Sequence, residues 1–248
     1  MELSKNKIKY FTSFAKKKTR EEEGKFIVEG NKLVEELLHS DFKIESIVAT
    51  KEWLEANHPN CECYEATCDD IAKISLLQHP QDVWALACCR ENNEIENLSG
   101  LILALDGIQD PGNLGTIIRL ADWFGIQTIL CSKDCVDVYN PKVVQATMGS
   151  VFRINVHYVD LPRILSLLSN FEIVTADMSG ENVYSAQLQK NAILVMGNEG
   201  NGISDAIAKI ANRTLHIPTF NKTERTSESL NVAVATAILC SEFRRRDL

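Results

Sequence analysis

The sequence predicts an α/β protein in which a parallel sheet with helices on its faces follows a smaller α/β unit. Three observations predict it. From residue 101 onward, short apolar runs alternate with amphipathic stretches at the spacing of strand–helix–strand units. A polar, acidic stretch, ENNEIENLSG at 91–100, interrupts the pattern and reads as a linker. Before it, strand-like and helix-like segments are mixed. Domains are accordingly expected at 1–95 and 96–248.

In chain order, FIVEG (26–30) reads as a strand and NKLVEELLHS (31–40) as a helix, with apolar residues at 33, 34, 37 and 38. KIESIVAT (43–50) and VWALACC (83–89) read as strands. Beyond the linker, strands are expected at 101–105, 127–131, 153–158, 171–176, 192–196 and 214–217. Helices are expected near 114–124, 141–148, 161–169, 203–211 and 229–244. No internal repeat or low-complexity segment is visible.

The 248 residues suit one large domain or two small ones, and 45% hydrophobic with 24% charged residues is ordinary for a soluble globular chain. No apolar run reaches the roughly 18 residues of a membrane span, and the start, MELSKNKIKYFTSFAKKKTR, lacks a signal-peptide core. A cytoplasmic protein is expected. The eight cysteines (61, 63, 68, 88, 89, 131, 135, 240) form no paired CxxC set. The CSKDC pair, Cys131 and Cys135, lacks a second half, so reduced and mostly buried thiols are expected over a zinc site, and no metal. The net charge of −8 argues against a general nucleic-acid binder. Residues 1–20 nevertheless hold Lys5, Lys7, Lys9, Lys16, Lys17, Lys18 and Arg20 against one acid, Glu2. That run is either a basic arm for phosphate contacts or a solvated, frayed terminus.

Three segments carry candidate chemistry. In LDGIQDPGNLGTIIRLADWFG (105–125), Asn113 is an N-cap for a helix from Leu114, whose buried stripe is Leu114, Ile117, Ile118 and Ala121. Gly115, Arg119 and Asp122 share another face. There, Gly115 leaves room for a ligand beside Arg119, or Arg119 and Asp122 form a plain surface ion pair. In AILVMGNEGNGIS (192–204), a buried strand ends in Gly197, with Gly200 and Gly202 following. Glycines there let backbone approach a ligand at the carboxyl end of a parallel strand, or merely make a turn. The order G-x-x-G-x-G is not the dinucleotide fingerprint. In LHIPTFNKTERTSESLNVAVATAILCSEFRRR (215–246), a strand ending at Ile217-Pro218 leads through a polar loop to a nearly all-apolar helix, with alanines at 233, 235 and 237. Such a helix must be covered by chain or partner.

Taken together, N-x-G-x-x-x-R (Asn113, Gly115, Arg119), G-N-E-G-x-G-I-S and I-P…S-L-N-V-A-V-A-T-A-I resemble, in order and spacing, the three motifs of the SpoU (TrmH-type) RNA ribose 2′-O-methyltransferases of the SPOUT superfamily. NPKVVQATMGSVFRI (140–154) resembles the family's connecting segment, and FIVEGNKLVEELL resembles a ribosomal-protein-like substrate-binding domain of rRNA-modifying members. The resemblance implies a deep trefoil knot, a homodimer and S-adenosylmethionine bound bent into the knot. It implies cofactor contacts from Ala176, Met196, Gly197, Asn198, Gly200, Ile217, Pro218 and Leu230. It implies a catalytic group of Asn113, Arg119, Glu199, Ser229 and Asn231. The substrate it implies is RNA, with rRNA favoured over tRNA because tRNA members often lack the N-terminal domain.

The sequence departs from the family at TFNKTERTSE, the ten residues between Ile217-Pro218 and Ser229-Leu230-Asn231, which are more numerous than usual and contain no glycine. That leaves Ser227 or Ser229 as the motif serine. Leu120 stands where Thr or Ser is frequent. Arg119 is a poor general base, because a guanidinium does not give up its proton near neutral pH. Positioning and charge stabilisation suit it better. The competing readings are a tRNA methyltransferase of the same family and a catalytically silent RNA-binding protein. A Rossmann oxidoreductase lacks its glycine pattern.

Overall fold

The strand LILAL is apolar at every position because both of its faces are covered, the usual situation in an all-parallel sheet. A computed structural model describes residues 3–90, 95, 98–221 and 229–245. In chain order the elements are α1 (Lys5–Ser13), α2 (Lys17–Glu23), β1 (Lys25–Glu29), α3 (Asn31–Leu38), β2 (Ile44–Ala49), α4 (Lys51–Asn57), β3 (Glu62–Glu65), α5 (Cys68–Ile74) and β4 (Val83–Cys88). There follow β5 (Leu101–Asp106), α6 (Pro111–Trp123), β6 (Thr128–Ser132), α7 (Pro141–Thr147), β7 (Asn155–Val159), α8 (Leu161–Leu167), β8 (Glu172–Asn182), β9 (Ala192–Gly197), α9 (Asp205–Ala208), β10 (Arg213–His216) and α10 (Val232–Arg245).

The chain forms two compact units. Residues 1–92 associate with 137–153 in the first, and 93–136 with 154–248 make the second. The first contains a four-stranded sheet, β1-β4-β2-β3, with β4 antiparallel to both neighbours and β2 parallel to β3. The basic N-terminal run is helical, not frayed. Ser4 caps α1, and the helix carries Phe11, with Phe14 following, onto the sheet, where the Phe11 ring lies 4.8 Å from that of Trp84. Counting charges hid the apolar spacing of Ile8, Phe11 and Phe14. Much of the positive charge is also neutralised: Lys7 pairs with Glu62, Lys17 with Glu21 and Lys18 with Glu22. Arg20 is buried, bonding Asp137 Oδ2 at 2.7 Å and donating to the carbonyls of Phe14 and Ala15. With Gln145 Nε2 donating to Glu29 O at 2.8 Å, that pair holds 137–153 to the first unit. Breaking a buried ion pair from one side costs about 3–5 kcal/mol.

The second unit is a six-stranded sheet, β10-β8-β9-β5-β6-β7, parallel throughout. One face packs Ile102, Ala104, Ile193 and Val195 against Leu161 and Leu165 of α8 and Ile207 of α9. Ile95 and Leu98, from the expected linker, pack on this cluster, while 91–94, 96 and 97 lie outside the described residues. α6 buries Leu114, Ile117, Ile118 and Ala121, as its periodicity predicts, the leucine and each isoleucine contributing about 1.5–3 kcal/mol. α10 packs against α6 and β9, so the apolar C-terminal helix has its cover, with Thr236, Leu239 and Cys240 fully buried.

Several expectations are corrected. α6 begins at Pro111, not Leu114, because Asp110 is the N-cap, its Oδ1 accepting the Asn113 N–H at 2.8 Å, and Pro111 suits the first helical turn. Asn113 is therefore inside the helix, free to use its side chain elsewhere. Gly115 is buried and leaves no open surface. β8 runs well past 176, and α9 is shorter than 203–211. α2, α4, α5 and β3 were not anticipated. Of the cysteines, Cys131, Cys135 and Cys240 are buried and Cys68 is exposed, with the others between, so the thiols are less buried than expected. Among the described residues no group of three or more His, Cys, Asp or Glu could hold a metal ion, and no helix is long and apolar enough to cross a membrane.

Candidate functional site

Because all six strands are parallel, the carboxyl ends of β5, β9 and β10 reach the same edge of the sheet, where open α/β sheets bind ligands. The turn after β9 is closed by two backbone hydrogen bonds of 2.9 Å between Asn198 and Gly202. Its backbone doubles back so tightly that a Cβ on Gly197 would stand 2.4 Å from the Gly202 carbonyl carbon. Only glycine fits there. Asn198 locks the turn from inside: Oδ1 accepts the N–H groups of Gly200 and Asn201 at 2.9 and 3.0 Å, and Nδ2 donates to Gly107 O at 2.7 Å. Asp106 Oδ2 accepts the Ser204 N–H at 2.7 Å, tying the β5 loop to the far side of the same turn.

The three motifs meet in a chain of side chains. Asn231 Oδ1 accepts the N–H groups of Ala233 and Val234, starting α10, while Nδ2 donates to Asn113 Oδ1 at 2.9 Å. Asn113 Nδ2 in turn donates to Glu199 Oε1 at 2.7 Å. Every polar atom of the Asn113 amide is thereby directed, and Glu199 keeps its second oxygen for another donor. A hydrogen bond to a charged group is worth about 1.5–3 kcal/mol.

Beside this chain lies a cavity of about 530 Å³, within the ~300–1,000 Å³ typical of small-molecule sites. Ala176, Met196, Gly197, Asn198, Glu199, Gly200, Ile217, Ser229, Leu230 and Asn231 line it. Asn113 and Pro218 do not, although Asn113 bonds two residues that do. Arg119 is exposed on α6, outside the lining, and makes no hydrogen bond or ion pair among the described residues. The surface pair with Asp122 is therefore not formed. Ser227 lies outside the described residues, as does most of the loop 219–228; Ser229 lines the cavity.

Sequence reasoning missed Asp177, Met178, Leu215, His216, Val232 and Leu239, all of which line the cavity. Leu239 and Val232 carry no signal beyond their place in an apolar helix. Asp177 is invisible because it lies in an irregularity of β8. Thr175 pairs with Thr214, yet the next residue of β10, Leu215, pairs with Glu181, leaving 176–180 without a place in the ladder.

The SpoU rRNA methylase family model matches residues 100–241, the whole stretch that bears these motifs. The chain belongs to the SpoU rRNA methylase family. A model of the MRM3-like substrate binding domain matches residues 5–85. Among curated SpoU relatives, the chain is 31% identical to the 23S rRNA (guanosine(2553)-2′-O)-methyltransferase RlmP of Bacillus subtilis, over 98% of each chain. It is 34% identical to the 23S rRNA (guanosine-2′-O-)-methyltransferase RlmB of Neisseria meningitidis, over 79% of this chain and 82% of the relative. Among solved structures, a TrmH-family protein from Porphyromonas gingivalis superposes with a TM-score of 0.91 at 40% identity, covering 99% of this chain and all of that one. The AdoMet-bound rRNA methyltransferase of Sinorhizobium meliloti gives 0.87 at 30% identity, covering 100% and 97%.

Proposed function

We propose that the protein is an S-adenosylmethionine-dependent RNA ribose 2′-O-methyltransferase acting on ribosomal RNA. The observation that carries this reading is the chain Asn231–Asn113–Glu199 beside a cavity lined by the second and third motifs. The cavity suits the cofactor. It joins apolar surface (Met196, Leu215, Val232, Leu239) for a base to two carboxylates, Asp177 and Glu199, for a cation, and the missing Cβ of Gly197 lets the Gly202 backbone close the turn beside it.

The bound cofactor supplies an electrophilic methyl on a sulfonium. The chain's residues do the rest. Arg119, which has no ion-pair partner to release among the described residues, forks its guanidinium onto the RNA phosphate beside the target ribose and holds the 2′-oxygen in line. The fixed Asn113 amide keeps Glu199 oriented at the cavity wall and ties it to Asn231, with Ser229 in the same lining. Gly197, Asn198, Gly200, Ile217 and Leu230 would hold the cofactor by backbone and apolar contacts, with Ala176, Met196 and Pro218 beside them.

Ribosomal RNA is favoured over tRNA by the 23S rRNA relatives and by the substrate-binding model over the N-terminal residues. We place the division between a substrate-binding domain and a methyltransferase domain at 95/96; family models over 5–85 and 100–241 support this reading, although residues 137–153 pack with the first compact unit. A homodimer accounts for apolar surface on the packed helices α6 and α10: Trp123 is 84% exposed and Val234 49%. Trp123 lies one helical turn from Arg119, on the same face, so a partner chain docking there would be next to the arginine. The trefoil knot and cytoplasmic location belong to the same reading. Transfer of labelled methyl groups from S-adenosylmethionine to ribosomal RNA tests it; label in tRNA alone, or binding without transfer, would replace it.

A further inference from the structure

The cavity wall at β8 is a bulge. Residues 176–180 have no ladder partner on β10, although His216 Nδ1 meets Gly180 O at 2.6 Å, and such irregularities commonly re-aim side chains beside sites. The bulge can return to the sheet only at a glycine, since a Cβ on Gly180 would stand 2.6 Å from the Thr214 carbonyl carbon. Asp177 lines the cavity from within the bulge, and Ser179 fixes it: Asp177 Oδ1 accepts the Ser179 N–H at 2.9 Å and its hydroxyl at 2.6 Å. The same two bonds hold the Asp177 carboxyl below its usual pKa, so it is ionised near neutrality. Glu199 faces the cavity from the β9 turn, bonded to a neutral amide. Neither acid has an ion-pair partner among the described residues, and no Lys or Arg is among the described residues that line the cavity. Among the described residues of the lining, the two carboxylates thus face only one ring that could carry positive charge, His216, whose Nδ1 is engaged with Gly180 O at 2.6 Å.

We infer that Asp177, acting with Glu199, makes the cavity discriminate by charge, holding the cationic methyl donor and releasing its neutral thioether product. The inference rests on the S-adenosylmethionine reading above. In the transfer the sulfur–methyl bond breaks, its electron pair stays on sulfur, and the methyl forms a new bond to the ribose oxygen, whose proton passes to solvent. The ligand left behind carries one positive charge fewer. Apart from the methyl itself, what donor and product offer the apolar and backbone surface of the cavity is the same. Attraction to the carboxylates is not, so it favours exchange of spent cofactor for fresh. Asp177 is solvent-facing, which places the effect at the weak end of surface electrostatics, about three- to tenfold in affinity for one unit charge.

Calorimetric titration of wild type and Asp177→Asn with S-adenosylmethionine and with S-adenosylhomocysteine tests the inference. Asparagine keeps the acceptor that Ser179 uses and removes only the charge. The expected result is about a three- to tenfold weaker affinity for S-adenosylmethionine, with S-adenosylhomocysteine changed by less than about twofold, and a wild-type preference for the donor that shrinks as salt rises. Equal weakening for both ligands would assign Asp177 to a group they share and overturn the inference, as would no change for either. Wild type that binds neither ligand would instead overturn the cofactor reading itself.

Discussion

Asn231 Nδ2 donates to Asn113 Oδ1 at 2.9 Å, across 118 residues of chain. One amide thus joins the start of α10 to the first turn of α6, and the next amide passes the connection on to Glu199.

Asn113→Asp should therefore be worse for activity than Asn113→Ala. Alanine removes a donor and an acceptor; aspartate puts a second negative charge where Glu199 now finds a donor at 2.7 Å. We expect at least about a tenfold loss of methyl transfer for alanine and a larger one for aspartate, with about 1–3 kcal/mol of stability lost through the unpaired groups. Turnover and thermal unfolding of the two variants check the order.

Gly197→Ala and Gly200→Ala should behave differently although only two residues separate them. A Cβ at 197 meets Gly202 backbone at 2.4 Å, whereas one at 200 finds its nearest atom, Asn198 Oδ1, at 3.6 Å. The first substitution must open the turn and should abolish cofactor binding; the second should change cofactor affinity by less than about threefold, given that 3.6 Å is ordinary contact. Titration of both variants decides it.

Arg119→Ala should leave stability and cofactor affinity unchanged, since the side chain is exposed and unpaired among the described residues. Turnover on RNA should fall by roughly 100-fold or more, because misplacing a reactant by about 1 Å costs that much. Lysine should rescue poorly, lacking the planar two-donor fork. If the homodimer shares its sites, mixing Arg119→Ala with Asn231→Ala chains restores part of the activity through one intact site. Trp123→Glu, on the same face, should weaken dimerisation in sedimentation.

Lys5, Lys9 and Lys16 have no ion-pair partner among the described residues, unlike Lys7, Lys17 and Lys18. Replacing the first three with glutamine should weaken RNA binding and flatten its salt dependence by up to about 0.9 log units per lost phosphate contact on a duplex. Replacing the second three should flatten it less. Binding isotherms at several salt concentrations compare the two sets.

How much of this was legible in the sequence follows from what each segment had to satisfy. The parallel sheet was legible because strands buried on both faces read as unbroken apolar runs, such as AILVM at 192–196. Ten of the thirteen expected site residues line one cavity because they follow strand ends that a parallel sheet brings to one edge. The helix start at Pro111 was misplaced because two capping residues, Asp110 and Asn113, compete in the sequence, and only the fold shows that Asn113 is needed by Glu199. The bulge at 176–180 left no trace, since register between β8 and β10 is a property of two distant segments. The basic run misled for a similar reason: Glu62 and Asp137, which pair with Lys7 and Arg20, are remote in the chain.

The most direct test is to incubate the protein with ribosomal RNA and methyl-labelled S-adenosylmethionine, then digest the RNA with alkali. A ribose 2′-O-methyl group blocks cleavage of the adjacent phosphodiester, so wild type should leave the label in alkali-resistant dinucleotides and Arg119→Ala should leave almost none. Label released in mononucleotides would place the methyl on a base, and equal labelling by the two proteins would remove Arg119 from the reaction; either result would contradict the account.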